Sequence, residues 1–386
     1  MGGKELYLLT RTSVEELPEK ELIIMASLFP TQTLRKAVVE FNLLSEDYHV
    51  TIESYGADPW YKGSYLYNEG AYTRLDAAMS SKSGCPDILD LSYLDLYKYT
   101  DKGALEDLSA YRETGSLRKE DFLDNLQDSF TIDGRLVCIP KFFLLTSVAG
   151  RVSQVGEKSG WTEEGLMELT AGQKEVVVAN GGDAQSMIEG FFSSYYLDAL
   201  IDWETGECHF EDARFRTLLE WLRNHVGAGA EWIKGYIPDN VLLEERSLTT
   251  FSDYMELAER FQEEIILKGY PSAEGKPSHR AQVIDALAIA TQAGHKEGAW
   301  EFLEFYLSGE EGDFYFSTKK SILLNQAEDA ATPIYSLDSE GNPQRREDGS
   351  YYTRTKLYIY VDGNPIPADC VPQKQVDAVL KVIDET

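Results

Sequence analysis

A short apolar strand that breaks off at once into a helix start sets the strongest limit on what this chain can fold into. Gly84-Cys-Pro forms a turn, and Asp87 to Leu91 follows, with Ile88, Leu89 and Leu91 suited to a sheet buried on both faces. Ser92 can cap the next helix, in which Leu94 and Tyr97 lie apart from Lys98 and Asp101, and Gly103 ends it. The preceding segments show the same alternation. Leu22 to Ala26 reads as a buried strand, and Ser27 to Thr33 as a loop with Phe29 exposed near a helix start. Leu34, Val38, Phe41 and Leu44 then mark one helix face. His49 to Tyr55 alternates as a second strand, and Gly70 to Ser81 gives a helix with Ala71, Leu75, Ala78 and Met79 inward. This β-α-β-α-β order, joined by right-handed crossovers, predicts a doubly wound parallel sheet.

Composition narrows the function. The chain has 386 residues, enough for two domains at roughly 150 residues each. A net charge of -30 argues against nucleic acid and anionic membrane surfaces as direct partners, because both repel it. Neutral and cationic ligands stay open, and an acidic surface on its own is commonly a solubility device. Cys85, Cys138, Cys208 and Cys370 are far apart, with no C-x-x-C pair, so neither a zinc site nor a disulfide scaffold is indicated. The five histidines are scattered. Asp338-Ser-Glu-Gly-Asn342 begins like a calcium loop but lacks the glutamate that closes one. We therefore expect no metal and no cofactor. No G-x-S-x-G, H-E-x-x-H or Walker A motif is present, and two S-x-x-K matches, Ser116 to Lys119 and Ser317 to Lys320, lack an accompanying K-T-G. No enzyme is expected, although the 66 carboxylates neither support nor exclude a glycosidase pair. No apolar run has transmembrane length.

Pro86 to Leu108, with its Pro-Asp, its apolar strand and its Gly-Ala-Leu-Glu-Asp-Leu ending, resembles the signature of the family 1 extracellular solute-binding proteins. These are the carbohydrate-type receptors of ABC importers, and the likeness is greatest to the large lipoprotein subgroup of Gram-positive bacteria. It runs from about Leu22 to Asp384. Ile132-Asp-Gly-Arg-Leu, turning into Val137 to Gly150, resembles the family's first crossover between lobes. Trp161-Thr-Glu-Glu resembles its second-lobe helix start, with Thr162 and Gly165 at capping distance, and Gly269 to Gly275 its return crossover. Ala299 to Leu307 is similar to a run typical of the family, and a third crossing falls near Ser317.

The resemblance implies an α/β, periplasmic-binding-protein-like type II fold, with two doubly wound lobes joined by a three-crossover hinge. Lobe 1 would comprise 21–138 and 276–317, and lobe 2 139–275 and 318–386, with a β-rich insertion at 335–367. Residues 1–20 would be a linker or the end of a preceding domain, and relatives usually continue beyond the helix starting near Gln373, which leaves the completeness of lobe 2 open. The implied function is an extracellular receptor, attached to the outer face of the cell membrane by signals absent from this chain. As a monomer it would close on a carbohydrate or similar small polar solute, such as an oligosaccharide, and deliver it to an ABC permease. A carbohydrate-active hydrolase, or a sensor or adhesion module on the same fold, are the alternatives.

Ligands in open α/β sheets sit at loops leaving the C-terminal ends of strands, where helix N-termini present unpaired N–H groups. That rule selects Phe29 and Thr31 after the first strand, and Ser92, Tyr93 and Asp95 after the strand that ends at Leu91. Asp95 has a competing reading as a solvated helix residue. In the second lobe, Val176 to Ala179 precedes Asp183 and Gln185, and a strand at Ser247 to Phe251 precedes Asp253 and Tyr254. Phe142 and Phe143, beside Lys141, would floor the hinge, and Tyr270 lies near the return crossover. Sugars are held by flat aromatic faces and by planar hydrogen-bonding side chains, the residue types this set supplies. Trp60, Tyr61, Tyr65 and Tyr67, in the loop from Gly56 to Gly70, either line a rim or cover a neighbouring helix.

Overall fold

The computed structural model describes residues 19–56, 69–81, 84–171, 178–179, 200–202, 205–225, 235–272, 274–309 and 314–386. Trp60, Tyr61, Tyr65, Tyr67, Asp183 and Gln185 lie outside these. The chain runs β1 (Glu21–Ser27), α1 (Gln32–Leu44), β2 (Tyr48–Ser54), α2 (Glu69–Met79), β3 (Ile88–Asp90), α3 (Leu96–Thr100) and α4 (Ser109–Thr114). It continues through α5 (Asp124–Asp128), the hairpin β4 (Thr131–Ile132) and β5 (Arg135–Leu136), the long β6 (Ile139–Arg151), α6 (Val152–Val155) and α7 (Glu163–Thr170). Next come β7 (Val178–Ala179), α8 (Ala213–His225), β8 (Leu243–Leu248), α9 (Phe251–Phe261), β9 (Ile265–Leu267) and β10 (Arg280–Ile289). The last elements are α10 (Lys296–Ser308), β11 (Phe316–Ser317), α11 (Lys320–Ala331), β12 (Ile334–Tyr335), β13 (Thr353–Arg354), β14 (Leu357–Val361), β15 (Asn364–Ala368) and α12 (Gln373–Glu385). Two compact units result. The first holds Met1–Glu120, Leu126–Lys141 and Asp285–Glu310, and the second Asp121–Asn125, Phe142–Ile284 and Glu311–Thr386. No helix among the described residues is long and apolar enough to cross a membrane.

In the first unit β1 is parallel to β2, from Glu21↔Tyr48 to Ser27↔Ser54, and parallel to β3, at Met25↔Ile88 and Ala26↔Leu89. β10 pairs with β3 antiparallel, with Ala288 opposite Leu89. The sheet is therefore mixed, not all-parallel, because β10 comes from a distant part of the chain and not from a βαβ crossover. Ile23, Met25, Ile88 and Leu89 are wholly buried in it. Leu34, Ala37, Val38 and Phe41 of α1 and Phe302 and Leu303 of α10 complete the core. Leu44 is 70% exposed, since it occupies the final turn, where the Ser45 N–H closes on the Phe41 carbonyl. Asp133 and Gly134, both at positive φ, form the turn between β4 and β5 that the Asp-Gly pair predicts.

In the second unit β6 is antiparallel to β8, from Leu145↔Leu248 to Gly150↔Leu243, and antiparallel to β9 at Ala149↔Leu267. β7 lies parallel to β8. Val148, Leu166, Leu218, Trp221, Leu222, Leu243 and Tyr270 form one core cluster. The Thr162 hydroxyl caps α7 by accepting the Gly165 N–H at 3.1 Å. β8 begins at Leu243, four residues before the expected Ser247. Glu244, a charged residue in mid-strand, is fully buried, with its carboxylate accepting from the buried Arg260 guanidinium of α9. α9 starts at Phe251, so Ser252, Asp253 and Tyr254 belong to its first turn and not to a loop after the strand.

The expected β-rich segment contains the hairpin β14–β15, turned by Asp362 and Gly363 at φ 53° and 73°. Ile359 and Val361 point inward, while Tyr358 and Tyr360 stand exposed opposite Pro367 and Pro365.

Candidate functional site

β1 and β3 are parallel neighbours, so the loops that leave their C-terminal ends lie side by side. The first, Leu28 to Thr31, leads into α1, and the second, Leu91 to Asp95, into α3. Their aromatic residues meet. The Phe29 and Tyr93 rings pack edge to face at 5.3 Å and 89°, and are 36% and 40% exposed. Gly56 makes room for this arrangement. A Cβ there would stand 2.3 Å from the Leu28 carbonyl oxygen and 2.6 Å from the Phe29 ring. The Tyr72 hydroxyl, from α2, donates to the Tyr93 carbonyl at 3.3 Å.

The polar residues of these loops have other commitments. Thr31 is the N-cap of α1: its hydroxyl accepts the Leu34 N–H at 3.0 Å and donates to Asp285 Oδ2 at 2.8 Å. Ser92 does not cap α3. Its hydroxyl donates to Asp90 Oδ1 and accepts the Ala286 N–H at 3.1 Å. Asp95 is the cap, accepting the Lys98 N–H at 3.3 Å, so it is neither free nor merely a solvated helix residue.

Two buried acids beneath the loops escaped the sequence reading. Asp90 accepts from Ser27 at 2.7 Å as well as from Ser92, and burial raises its carboxyl above the ordinary range against those hydrogen bonds. Asp285, in β10, takes the hydroxyls of Thr31 and Tyr306 on one oxygen. Burial, reinforced by the negative charge of Asp90, pushes Asp285 up to about 7. An aspartate inside an apolar run, Ile88-Leu-Asp90 or Val283-Ile-Asp285-Ala-Leu, is the signal that identifies such a group.

The second unit departs further from the expected site. Phe142 and Phe143 are buried, packed on Tyr315 at 6.4 Å and Phe316 at 5.6 Å. Tyr254 is buried, with its hydroxyl donating to the Ile265 carbonyl at 2.8 Å. Tyr270 is buried too, and donates to Glu245 at 2.8 Å. These four rings fill the core of their unit, where a large apolar side chain gains most, and present no open face. Asp253 accepts the N–H groups of Thr249 and Thr250 at 2.7 and 2.8 Å, completing a capping box. Asp253→Ala should therefore lower stability by about 1 kcal/mol in urea denaturation. An unchanged midpoint would remove the cap from the account.

What stays partly exposed at the start of α9 is a set of hydroxyls, Thr249, Thr250 and Ser252. With Tyr315, Gln326 and Lys356 they line a pocket of 280 Å³. A wider groove of 890 Å³ runs along the flanks of α9 and α12 in the same unit, where Lys374 and Glu264 pair at 2.5 Å. We favour the smaller pocket, since it follows the C-terminal end of a strand and opens on a helix N-terminus. Among the described residues no three His, Cys, Asp or Glu side chains converge to hold a metal ion.

No family model and no curated protein matches the sequence. Solved structures do match the fold. The sugar-binding protein MalE from Xanthomonas citri is similar over 80% of this chain and 83% of its own, with a TM-score of 0.56 at 14% identity. The ABC substrate-binding protein Lmo0181 from Listeria monocytogenes, solved with cycloalternan, is similar over 80% and 83%, with a TM-score of 0.52 at 16% identity. A de novo designed esterase reaches 0.55 over 81% and 82%, also at 16% identity. The chain has the periplasmic-binding-protein-like type II fold. That fold carries both a sugar-binding protein and a designed esterase, so function has to be argued from the site.

Proposed function

We propose that this protein is an extracytoplasmic receptor for a neutral carbohydrate, attached to the outer face of the cell membrane, which acts as a monomer and hands its sugar to an ABC permease. The observation that carries this reading is the Phe29–Tyr93 pair. Two half-exposed rings at adjoining strand ends offer apolar surface for the C–H patches of a sugar ring, where a wholly polar loop would offer none. The net charge of -30 favours an uncharged sugar over an anionic one. MalE, a sugar-binding protein, and Lmo0181, solved with cycloalternan, support the same ligand class.

The test is a thermal-shift screen against neutral mono- and oligosaccharides, including maltose and cycloalternan. A sugar present at about 100 times its Kd adds about 2.7 kcal/mol to stability, enough to displace the melting curve. No shift with any member of the panel would overturn the reading. Recovery of the bound sugar unchanged is the expected outcome after long incubation, and hydrolysis products would favour the hydrolase alternative. Phe29→Ala and Tyr93→Ala should each weaken a confirmed sugar by about 1 kcal/mol, near fivefold, in calorimetric titration. Both rings are partly exposed, so the melting temperature should move little. Unchanged affinity in both variants would place the sugar elsewhere.

A further inference from the structure

Each loop of the aromatic pair is tied down by one buried acid. Thr31, two residues after Phe29, is bonded to Asp285, and Ser92, next to Tyr93, is bonded to Asp90. The two anchors are themselves joined, because the Ser92 hydroxyl also accepts the N–H of Ala286, the neighbour of Asp285. Asp285 is 1% exposed, and its Oδ2 takes both hydroxyl donors while its Oδ1 is buried without a hydrogen-bond partner. Its backbone sits at φ 52°, in the left-handed region, so the residue is held by its surroundings and not by its own preference.

We propose that Asp285 and Asp90 are positioning residues for the Phe29–Tyr93 edge, and that a proton on Asp285 sets how firmly the two loops are held. The proposal rests on that edge being the sugar-binding surface. With its proton, Asp285 is neutral, and its unpaired oxygen costs less in a dry layer than an unpaired charge would. Without it, a full charge faces Asp90 and one carboxylate oxygen has nothing to accept from. Hydrating Oδ1 would then require the packing around it to loosen, and the α1 N-terminus capped by Thr31 is bonded to the same carboxyl. The charged and titratable groups around Asp285 are few. Asp90 of β3 opposes its ionisation by repulsion, and Lys141 of β6 favours it, while Tyr306 of α10 donates to the carboxylate. Lys141 is itself held by the Tyr306 and Gly309 carbonyls and lies 4.3 Å over the Tyr306 ring. Cys138 is kept protonated by burial and by the charge of Asp90. The balance leaves Asp285 titrating near neutral pH.

Hydrogen exchange followed by mass spectrometry over residues 28–34 and 91–95, between about pH 5.5 and 8.5 and corrected for intrinsic rates, reads the anchor without any sugar. Wild type should lose roughly tenfold in protection across a transition near pH 7. Asp285→Asn keeps the acceptor and tolerates the left-handed backbone, and should show no transition. Tyr306→Phe, which deletes a donor to the carboxylate, should move the transition up in pH, and Asp90→Asn, which deletes the repulsion, should move it down. Protection independent of pH in wild type, or one unmoved transition in all the variants, overturns the proposal. Since no sugar enters the readout, its failure leaves the receptor reading to the thermal-shift screen.

Discussion

Arg260→Met is expected to lower the free energy of unfolding by about 3 to 5 kcal/mol, the cost of leaving one partner of a buried ion pair alone. Glu244 is wholly buried and Arg260 is 2% exposed, so neither charge can turn to water when the other is removed. The guanidinium also donates from Nε to the Gly235 carbonyl at 3.1 Å, which holds it in place from a second side. Glu244 lies in the middle of the sheet, with Ala149 on one side and Ala179 on the other, so the strand would have to leave the sheet to hydrate it. Glu244→Leu combined with Arg260→Met should recover most of the loss, because an apolar pair of similar volume carries no desolvation cost. Urea denaturation of the two single variants and the double variant measures the coupling. A single variant within 1 kcal/mol of wild type would show that the remaining charge reaches solvent.

Asp285 should give the protein a component of stability that weakens as pH rises. The group holds its proton more tightly in the folded chain, from an ordinary 3.8 up to about 7, through burial and then the charge of Asp90. Below about pH 4 folded and unfolded chains both carry the proton, and the native state is not penalised. Between that point and about pH 7 the unfolded chain ionises first, so stability falls with pH, and above about pH 7 the loss is complete and constant. The difference between the limits is on the order of 4 kcal/mol. Asp285→Asn should therefore gain on wild type steadily between about pH 4 and 7 when urea midpoints are compared. Parallel profiles would show that Asp285 ionises inside the fold as readily as in water.

The parts of the fold legible in the sequence are those where one local signal decides. β1, α1, β2 and α2 follow from periodicity, the β4–β5 turn from Asp133-Gly134, and the α7 cap from Thr162. β8 was displaced because a charge in mid-strand reads as surface until its partner, 16 residues later in α9, is known. That the loops after β1 and β3 adjoin was legible from strand order alone, and so was the exposure of Phe29. The duties of their polar residues were not. Whether Thr31 and Ser92 face a solute or a buried carboxylate depends on Asp285, 254 positions from Thr31, and on the course of β10. Phe142, Phe143, Tyr254 and Tyr270 show the same limit from the apolar side, since position in the chain does not reveal which way a ring turns.

The β14–β15 hairpin bears on how this protein avoids pairing with its own copies at high concentration. Among the described residues β15 pairs only with β14, which leaves its other edge open to strand addition from a neighbouring molecule. Pro365 and Pro367 remove two N–H donors from that strand, opposite the exposed Tyr360 and Tyr358. A third strand laid against it would find a broken ladder. The hairpin can thus display two tyrosines to solvent without becoming the seed of an intermolecular sheet.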